Sequence, residues 1–180
     1  MTRAPLPDAE LERRAKALTW LLFDVDGVLT DGRLFYGEHG ERFKVFDVRD
    51  GLAVKLARQA GLKVGLISGR GNAALKRRME EIQVDELFLA VADKRIVFGD
   101  FLARHDIPAS QVAFTGDDLP DLPILTTCGL SFAPADAAPD VRARVHRVLT
   151  RPGGRGAARE VIETVLRARG EWEEILTGYA

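Results

Sequence analysis

The segment Leu21-Leu22-Phe23-Asp24-Val25-Asp26-Gly27 runs an apolar stretch directly into two carboxylates and a glycine. An apolar run that stops at Asp-x-Asp-Gly delivers both acids to the tip of a strand, where a phosphate and a divalent cation can meet them. The same switch from apolar run to polar cluster recurs along the chain. Ser68-Gly69-Arg70 follows Ile67, Lys94 follows the stretch 86–91, and Gly116-Asp117-Asp118-Leu119-Pro120-Asp121 follows Phe114-Thr115. In a parallel sheet ligands bind beyond the carboxyl edges of the strands, so these four clusters are expected to converge on one site.

The spacing between them sets the fold class. After a short helix starting near Asp8, strand-like and helical stretches alternate over 21–25, 52–60, 62–67, 72–82, 86–91, 94–104, 112–115, 119–126 and 129–133. That rhythm is the sequence form of repeated βαβ units, and it predicts a three-layer, Rossmann-like α/β fold: a parallel sheet with helices on both faces. Leu52, Ala53, Leu56, Ala57 and Ala60 form one apolar stripe, and Gly61 falls where a left-handed helix cap belongs. Two segments break the rhythm. Gly37-Glu38-His39-Gly40 separates two aromatic-rich arms, predicting a β-hairpin over about 33–47 that projects from the sheet. Arg151-Pro152-Gly153-Gly154-Arg155-Gly156-Ala157 reads as a flexible, basic turn before a closing helix from Ala158 to Ala168.

At 180 residues the chain fits a single domain that buries a core without disulfides. Its 26 basic and 27 acidic residues nearly cancel, which gives no argument for nucleic acid or an anionic membrane and favours a small-molecule partner. The one cysteine, Cys128, has no partner at metal-ligand spacing and reads as a small buried hydrophobe, compatible with a reducing compartment. Residues 1–19 lack the apolar stretch of a signal peptide, and no run approaches the roughly 20 apolar residues of a membrane span, so a cytoplasmic protein is expected. His39, His105 and His146 are far apart and are expected at the surface or in the hairpin.

In this order the four clusters resemble the haloacid dehalogenase superfamily of phosphotransferases, whose motifs are DxDx, a Ser or Thr after the second strand, a Lys, and GDxxxD. The resemblance implies that Asp24 is the nucleophile forming an aspartyl-phosphate, and that Asp26 protonates the leaving oxygen and then deprotonates the attacking water. It implies Mg²⁺ held by the Asp24 carboxylate, the Asp26 backbone carbonyl and Asp117. Ser68 and the Gly69 amide then donate to the phosphoryl oxygens while Lys94 supplies positive charge. Asp118 and Asp121 are left as a further metal-shell member or the partner of Lys94, with Asp121 favoured for the lysine.

The gaps between motifs hold the hairpin and one βα unit, so no lid domain fits. A closer resemblance covers residues 20 to 168: Asp24 to Gly32, Phe46-Asp47-Val48-Arg49-Asp50-Gly51, Gly116-Asp117-Asp118 and Pro152 to Ala157 look like the 3-deoxy-D-manno-octulosonate 8-phosphate phosphatase family. That resemblance implies a lidless homotetramer whose hairpins assemble together and whose sites are completed by neighbouring subunits. The apolar arms Leu34, Phe35, Tyr36, Phe43, Val45 and Phe46 suit such burial. It also implies a sugar-acid phosphate substrate in lipopolysaccharide biosynthesis, with Arg49 and Arg155 as candidates to meet the sugar carboxylate or hydroxyls. Phosphatases of related nine-carbon keto acids share the architecture, and a non-catalytic oligomerisation module is the reading from another class. The expected division is an extension (1–19), one phosphatase domain (20–169) and a tail (170–180).

Overall fold

The computed structural model describes residues 6–179. Residues 1–5 of the expected extension, and Ala180, lie outside that span. Helix α1 (Asp8–Ala17) leads into β1 (Trp20–Phe23), and the hairpin follows as β2 (Phe35–Gly37) and β3 (Gly40–Phe43). Next come α2 (Val48–Gln59), β4 (Lys63–Ile67), α3 (Ala73–Ile82), β5 (Glu86–Phe88), α4 (Lys94–His105) and β6 (Val112–Thr115). The chain continues through α5 (Leu122–Leu125), β7 (Leu130–Ala133), α6 (Pro139–Arg142), β8 (Arg147–Val148), α7 (Ala157–Arg169) and α8 (Trp172–Thr177). The main sheet is parallel with strand order β5-β4-β1-β6-β7-β8, and β2 and β3 pair separately as an antiparallel ribbon.

Period-two alternation along the strands makes three layers. Leu21 and Phe23 pack with Val64, Leu66 and Phe132 under α1, α2 and α7, while Trp20 and Leu22 pack with Phe98, Phe101, Val112 and Phe114 under α4 and α5. Chain direction across the sheet reverses at β1, which has β4 on one side and β6 on the other. A crevice opens at the carboxyl ends of the strands at such a point, so the fold itself aims Asp24 at solvent.

Local chemistry sets the helix starts. Asn72, Asp47 and Asp93 accept from the backbone N–H of Leu75, Arg49 and Arg95 and cap α3, α2 and α4. Gly61 follows α2 at φ +78°, as its cap position requires. Both chain ends feed the core: Ala15 of α1 is fully buried, and Trp172 of α8 is 2% exposed.

Four expectations need correction or refinement. His146 is buried rather than at the surface: it takes the Ser131 N–H on Nδ1 at 3.0 Å, and Arg14 Nη1 lies 2.9 Å from its Nε2. His105 is half-covered, beside Glu86 and against the rings of Trp20 and Phe101. The stretch 119–126 is a 3₁₀ turn followed by the single turn of α5, because Pro120 and Pro123 remove the N–H groups a longer helix would use. The glycines at 153–154 serve close approach: the Gly154 N–H donates to the Val28 carbonyl at 2.9 Å, and a Cβ at Gly153 would lie 2.0 Å from the Gly27 oxygen. Cys128 is buried, as its composition context suggests.

Candidate active site

Four strand ends meet at a cavity of about 520 Å³ lined by Asp24, Asp26, Gly69, Arg70, Lys94, Asp117, Asp118 and Asp121, among others. Asp24 is the first residue beyond β1, and its N–H is held by the Thr115 carbonyl at 2.9 Å, which ties the first and fourth motifs together. Lys94 is the first residue of α4. Side chains at a helix start lean back toward the N-terminus, so its ammonium reaches the strand tips. It lies 2.8 Å from Asp24 Oδ1 and 2.7 Å from Asp121 Oδ1, with its side chain 6% exposed.

Asp121 has both oxygens engaged: Oδ1 with Lys94, and Oδ2 with the backbone N–H groups of Asp117 and Asp118 at 3.0 and 3.3 Å. It therefore holds the lysine and shapes the Gly116–Asp118 turn. Asp118 points elsewhere, accepting from the Leu119 N–H at 2.8 Å as an exposed cap of the 3₁₀ turn.

Oxygens of Asp24, Asp117 and Asp121 lie within 4.8 Å of one another. Burial first, then the neighbouring charges of Asp24 and Asp121, push the Asp117 carboxyl up to about 8. Asp24 rises to about 6, mainly through burial and the charge of Asp121, with Lys94 opposing. Crowded carboxylates that resist ionisation form a hard oxygen donor set suited to a divalent cation, and with Asp121 committed to Lys94 the available donors are Asp24 and Asp117. Gly27 completes this geometry. It adopts φ +86°, and a Cβ there would sit 2.0 Å from Asp117 Oδ2, so only glycine lets the two acidic loops close on each other.

Ser68 is fully buried, and its Oγ accepts from the Arg70 N–H at 3.2 Å, which fixes the loop over the cavity. Arg70 lines the cavity and donates to the Tyr36 hydroxyl of the hairpin at 2.8 Å. The Asp26 carboxylate is apart from the other acids and is paired with Lys44, a residue the sequence reading passed over. Strand alternation carried the available signal: Phe43 and Val45 face outward, 49% and 55% exposed, so Lys44 between them faces in.

Arg49 and Arg155 are not in the acidic cavity. They line another of about 540 Å³ with Asp31, Asp47 and Arg151, next to the acidic one in that Asp31 lines the former and its neighbour Gly32 the latter. Arg49 pairs with Asp47 and donates to the Arg155 carbonyl at 3.2 Å. Of the hairpin's apolar residues, Phe35 and Phe43 stack at 4.5 Å, Phe46 packs on the core, and Leu34, Tyr36, Phe43 and Val45 stay exposed. No helix among the described residues is long and apolar enough to cross a membrane.

No family model matches the chain. It is similar to a 3-deoxy-D-manno-octulosonate 8-phosphate phosphatase, KdsC, of Haemophilus influenzae, 39% identical over 161 residues that make up 89% of each chain. Among solved structures, a probable YrbI family phosphatase from Pseudomonas syringae superposes with a TM-score of 0.92 at 42% identity, covering 95% of this chain and 97% of that one. The Moraxella catarrhalis 3-deoxy-D-manno-octulosonate 8-phosphate phosphatase, solved with magnesium, phosphate and KDO, gives a TM-score of 0.92 at 31% identity, covering 95% and 98%.

Proposed function

Since the chain belongs to the 3-deoxy-D-manno-octulosonate 8-phosphate phosphatase family of the haloacid dehalogenase superfamily, we propose that it hydrolyses that sugar-acid phosphate to the free sugar acid and inorganic phosphate. The observation that carries the chemistry is Lys94 bridging Asp24 and Asp121 at the strand tips, with Asp117 across the cavity.

Asp24 is the nucleophile. Lys94 engages its Oδ1, which leaves Oδ2 to attack phosphorus in line with the departing sugar oxygen. Asp26 lies two residues on, in the same cavity, and gives that oxygen a proton as the phosphorus–oxygen bond breaks. In the second half Asp26 takes a proton from water, which attacks the aspartyl-phosphate, releases phosphate and restores Asp24. Ser68 Oγ, the Gly69 N–H and Lys94 face the charge on the transferring group. Asp24 and Asp117, with the Asp26 carbonyl, are the residues to hold Mg²⁺, which when bound supplies the charge that keeps both carboxylates ionised beside a phosphate dianion.

Arg49 and Arg155, with Arg151 beside them, form a basic wall one cavity away from the phosphate site, the right chemistry for the far-end carboxylate of a sugar acid. The exposed Leu34, Tyr36, Phe43 and Val45 on one ribbon support a homotetramer in which hairpins from neighbouring subunits bury each other and help close the sites. We place the enzyme in the cytoplasm, in lipopolysaccharide biosynthesis.

The test is phosphate release with Mg²⁺ from a panel containing the octulosonate 8-phosphate and nine-carbon 2-keto acid 9-phosphates. A sharp preference for the octulosonate is expected; preference for a nine-carbon acid would move the pathway assignment, and no hydrolysis of any ester would sink the enzyme reading. Light scattering on the intact protein should give the mass of four chains, and a monomer would end the assembly proposal.

A further inference from the structure

Lys44 sits directly after β3 on a ribbon whose neighbouring residues face solvent, yet its side chain is 1% exposed. Its ammonium is hydrogen-bonded to Asp26 Oδ1 and lies 2.9 Å from Glu41 Oε1. A lysine on an exposed ribbon ordinarily extends its charge into water, and covering one is costly unless carboxylates meet it. Here two do, and one belongs to the residue that moves the proton. Among the described residues, Lys44 gives the one hydrogen bond that reaches the Asp26 carboxylate.

We propose that Lys44, braced by Glu41, is a positioning residue for proton transfer by Asp26. By gripping Oδ1 it fixes the carboxylate's rotamer and leaves Oδ2 to exchange the proton with the leaving oxygen. The proposal rests on the reading of Asp26 as the acid and base of a phosphatase. The hairpin thereby acquires a task within its own chain, separate from any contact between subunits. A second tie supports this: the Arg70 guanidinium holds the Tyr36 hydroxyl at 2.8 Å, so both arms of the ribbon are fastened to the catalytic loops. The face opposite those ties carries the exposed Phe43 and Val45. Whatever orders the ribbon from that side therefore also orders the Asp26 carboxylate.

Leaving-group chemistry separates positioning from substrate binding. An alkyl phosphate expels a poor leaving group that needs the Asp26 proton, whereas 4-nitrophenyl phosphate expels a phenolate that does not. With Lys44→Met, kcat/KM on the sugar-acid phosphate and on benzyl phosphate, an alkyl ester that carries no sugar, should both fall about 10- to 100-fold and on the aryl phosphate less than about threefold, as expected for a misplaced proton donor. Lys44→Arg should recover most of the loss. The ratio of the benzyl to the aryl ester is independent of the fraction of protein correctly folded, so a destabilised variant still gives an answer. Asp26→Asn, measured alongside, should show the same alkyl-selective loss. If it does not, the acid–base reading fails; if it does while Lys44→Met lowers the benzyl and aryl esters equally or neither, as loss of a sugar contact would, the positioning role fails.

Discussion

At the floor of the pocket Lys94 lies between two carboxylates with its side chain 6% exposed, whereas at the rim Arg49 leaves half of its side chain in solvent and pairs with a single neighbour, Asp47. Buried charges that satisfy one another resist rearrangement, because removing one partner strands the other. An exposed pair contributes roughly 0–1 kcal/mol, so an incoming carboxylate displaces it at little cost. The floor is thus built to hold one chemistry rigidly, and the rim to recognise a substrate and release it.

The largest effect that tests this division is at Asp24. Asp24→Asn should lower kcat about a thousandfold or more while the fold survives, since the group removed is the nucleophile and the substitution is isosteric. In the absence of metal its melting temperature should equal or exceed that of the wild type, because one crowded, buried carboxylate has gone while Lys94 keeps Asp121 as its partner. Calorimetry beside steady-state kinetics checks both. A variant that keeps its activity would remove Asp24 from the mechanism.

The rim gives the next effect. Arg49→Ala and Arg155→Ala should each raise KM for the sugar-acid phosphate about tenfold, the worth of one charged hydrogen bond, while 4-nitrophenyl phosphate turnover stays within about twofold. Loss on both substrates alike would mean that the two cavities are not functionally separate.

The two regions also differed in how far the sequence revealed them. An acid that closes an apolar run has to sit at a strand tip, so the strand-end placement of Asp24 and Asp117 and the parallel α/β class follow from local pattern, whereas the strand order does not. The pairing of Asp121 with Lys94 was favoured over Asp118 but left open, because the two residues follow β6 and β5, which are not neighbours in the sheet. Lys44 was not read, because its contact with Asp26 spans a hairpin whose orientation local pattern does not determine. The glycines at 153–154 suggested mobility, yet the loop is tied to Val28, and a glycine required by a close approach looks in sequence like one required by motion. Strand β8 has only two residues, too few for any periodicity to register.

A smaller effect distinguishes the regions by pH. Metal binding at the floor requires deprotonated carboxylates, and in the metal-free site Asp117 is raised to about 8 and Asp24 to about 6. At pH 7 Asp117 still holds a proton that Mg²⁺ must displace, so affinity should strengthen between pH 7 and 8, by about fivefold, with protons released on binding. Titration calorimetry in buffers of different ionisation enthalpy measures both. A flat profile would mean that the acids are already ionised and that the floor is more open to water than its burial implies.

The smallest expected effect lies at Asp50, beside the rim residue Arg49, where α2 meets the start of α7. Helix α7 starts after Gly156, which has no side chain to cap it, and the Asp50 carboxylate of α2 serves instead, accepting from the Arg159 N–H at 2.7 Å. Its Oδ2 is buried with no hydrogen-bond partner, and burial first, then Asp47, push its carboxyl up to about 6 against the backbone N–H groups of Arg159 and Gly156 and the charge of Arg49. A carboxyl whose folded value exceeds its unfolded one contributes stability that is fully present below the unfolded value and is lost as pH rises through about 6. Asp50→Asn removes that dependence while keeping an acceptor at the α7 cap. Wild type should therefore lose about 1 kcal/mol relative to the variant between pH 5 and pH 7.5, the worth of a carboxyl raised to about 6 over that range. Urea unfolding at the two pH values measures it. A gap that stays constant would show the carboxylate ionised throughout, held by the start of α7 as firmly as Lys94 holds Asp24, and the rim's anchor would then follow the physics of the floor.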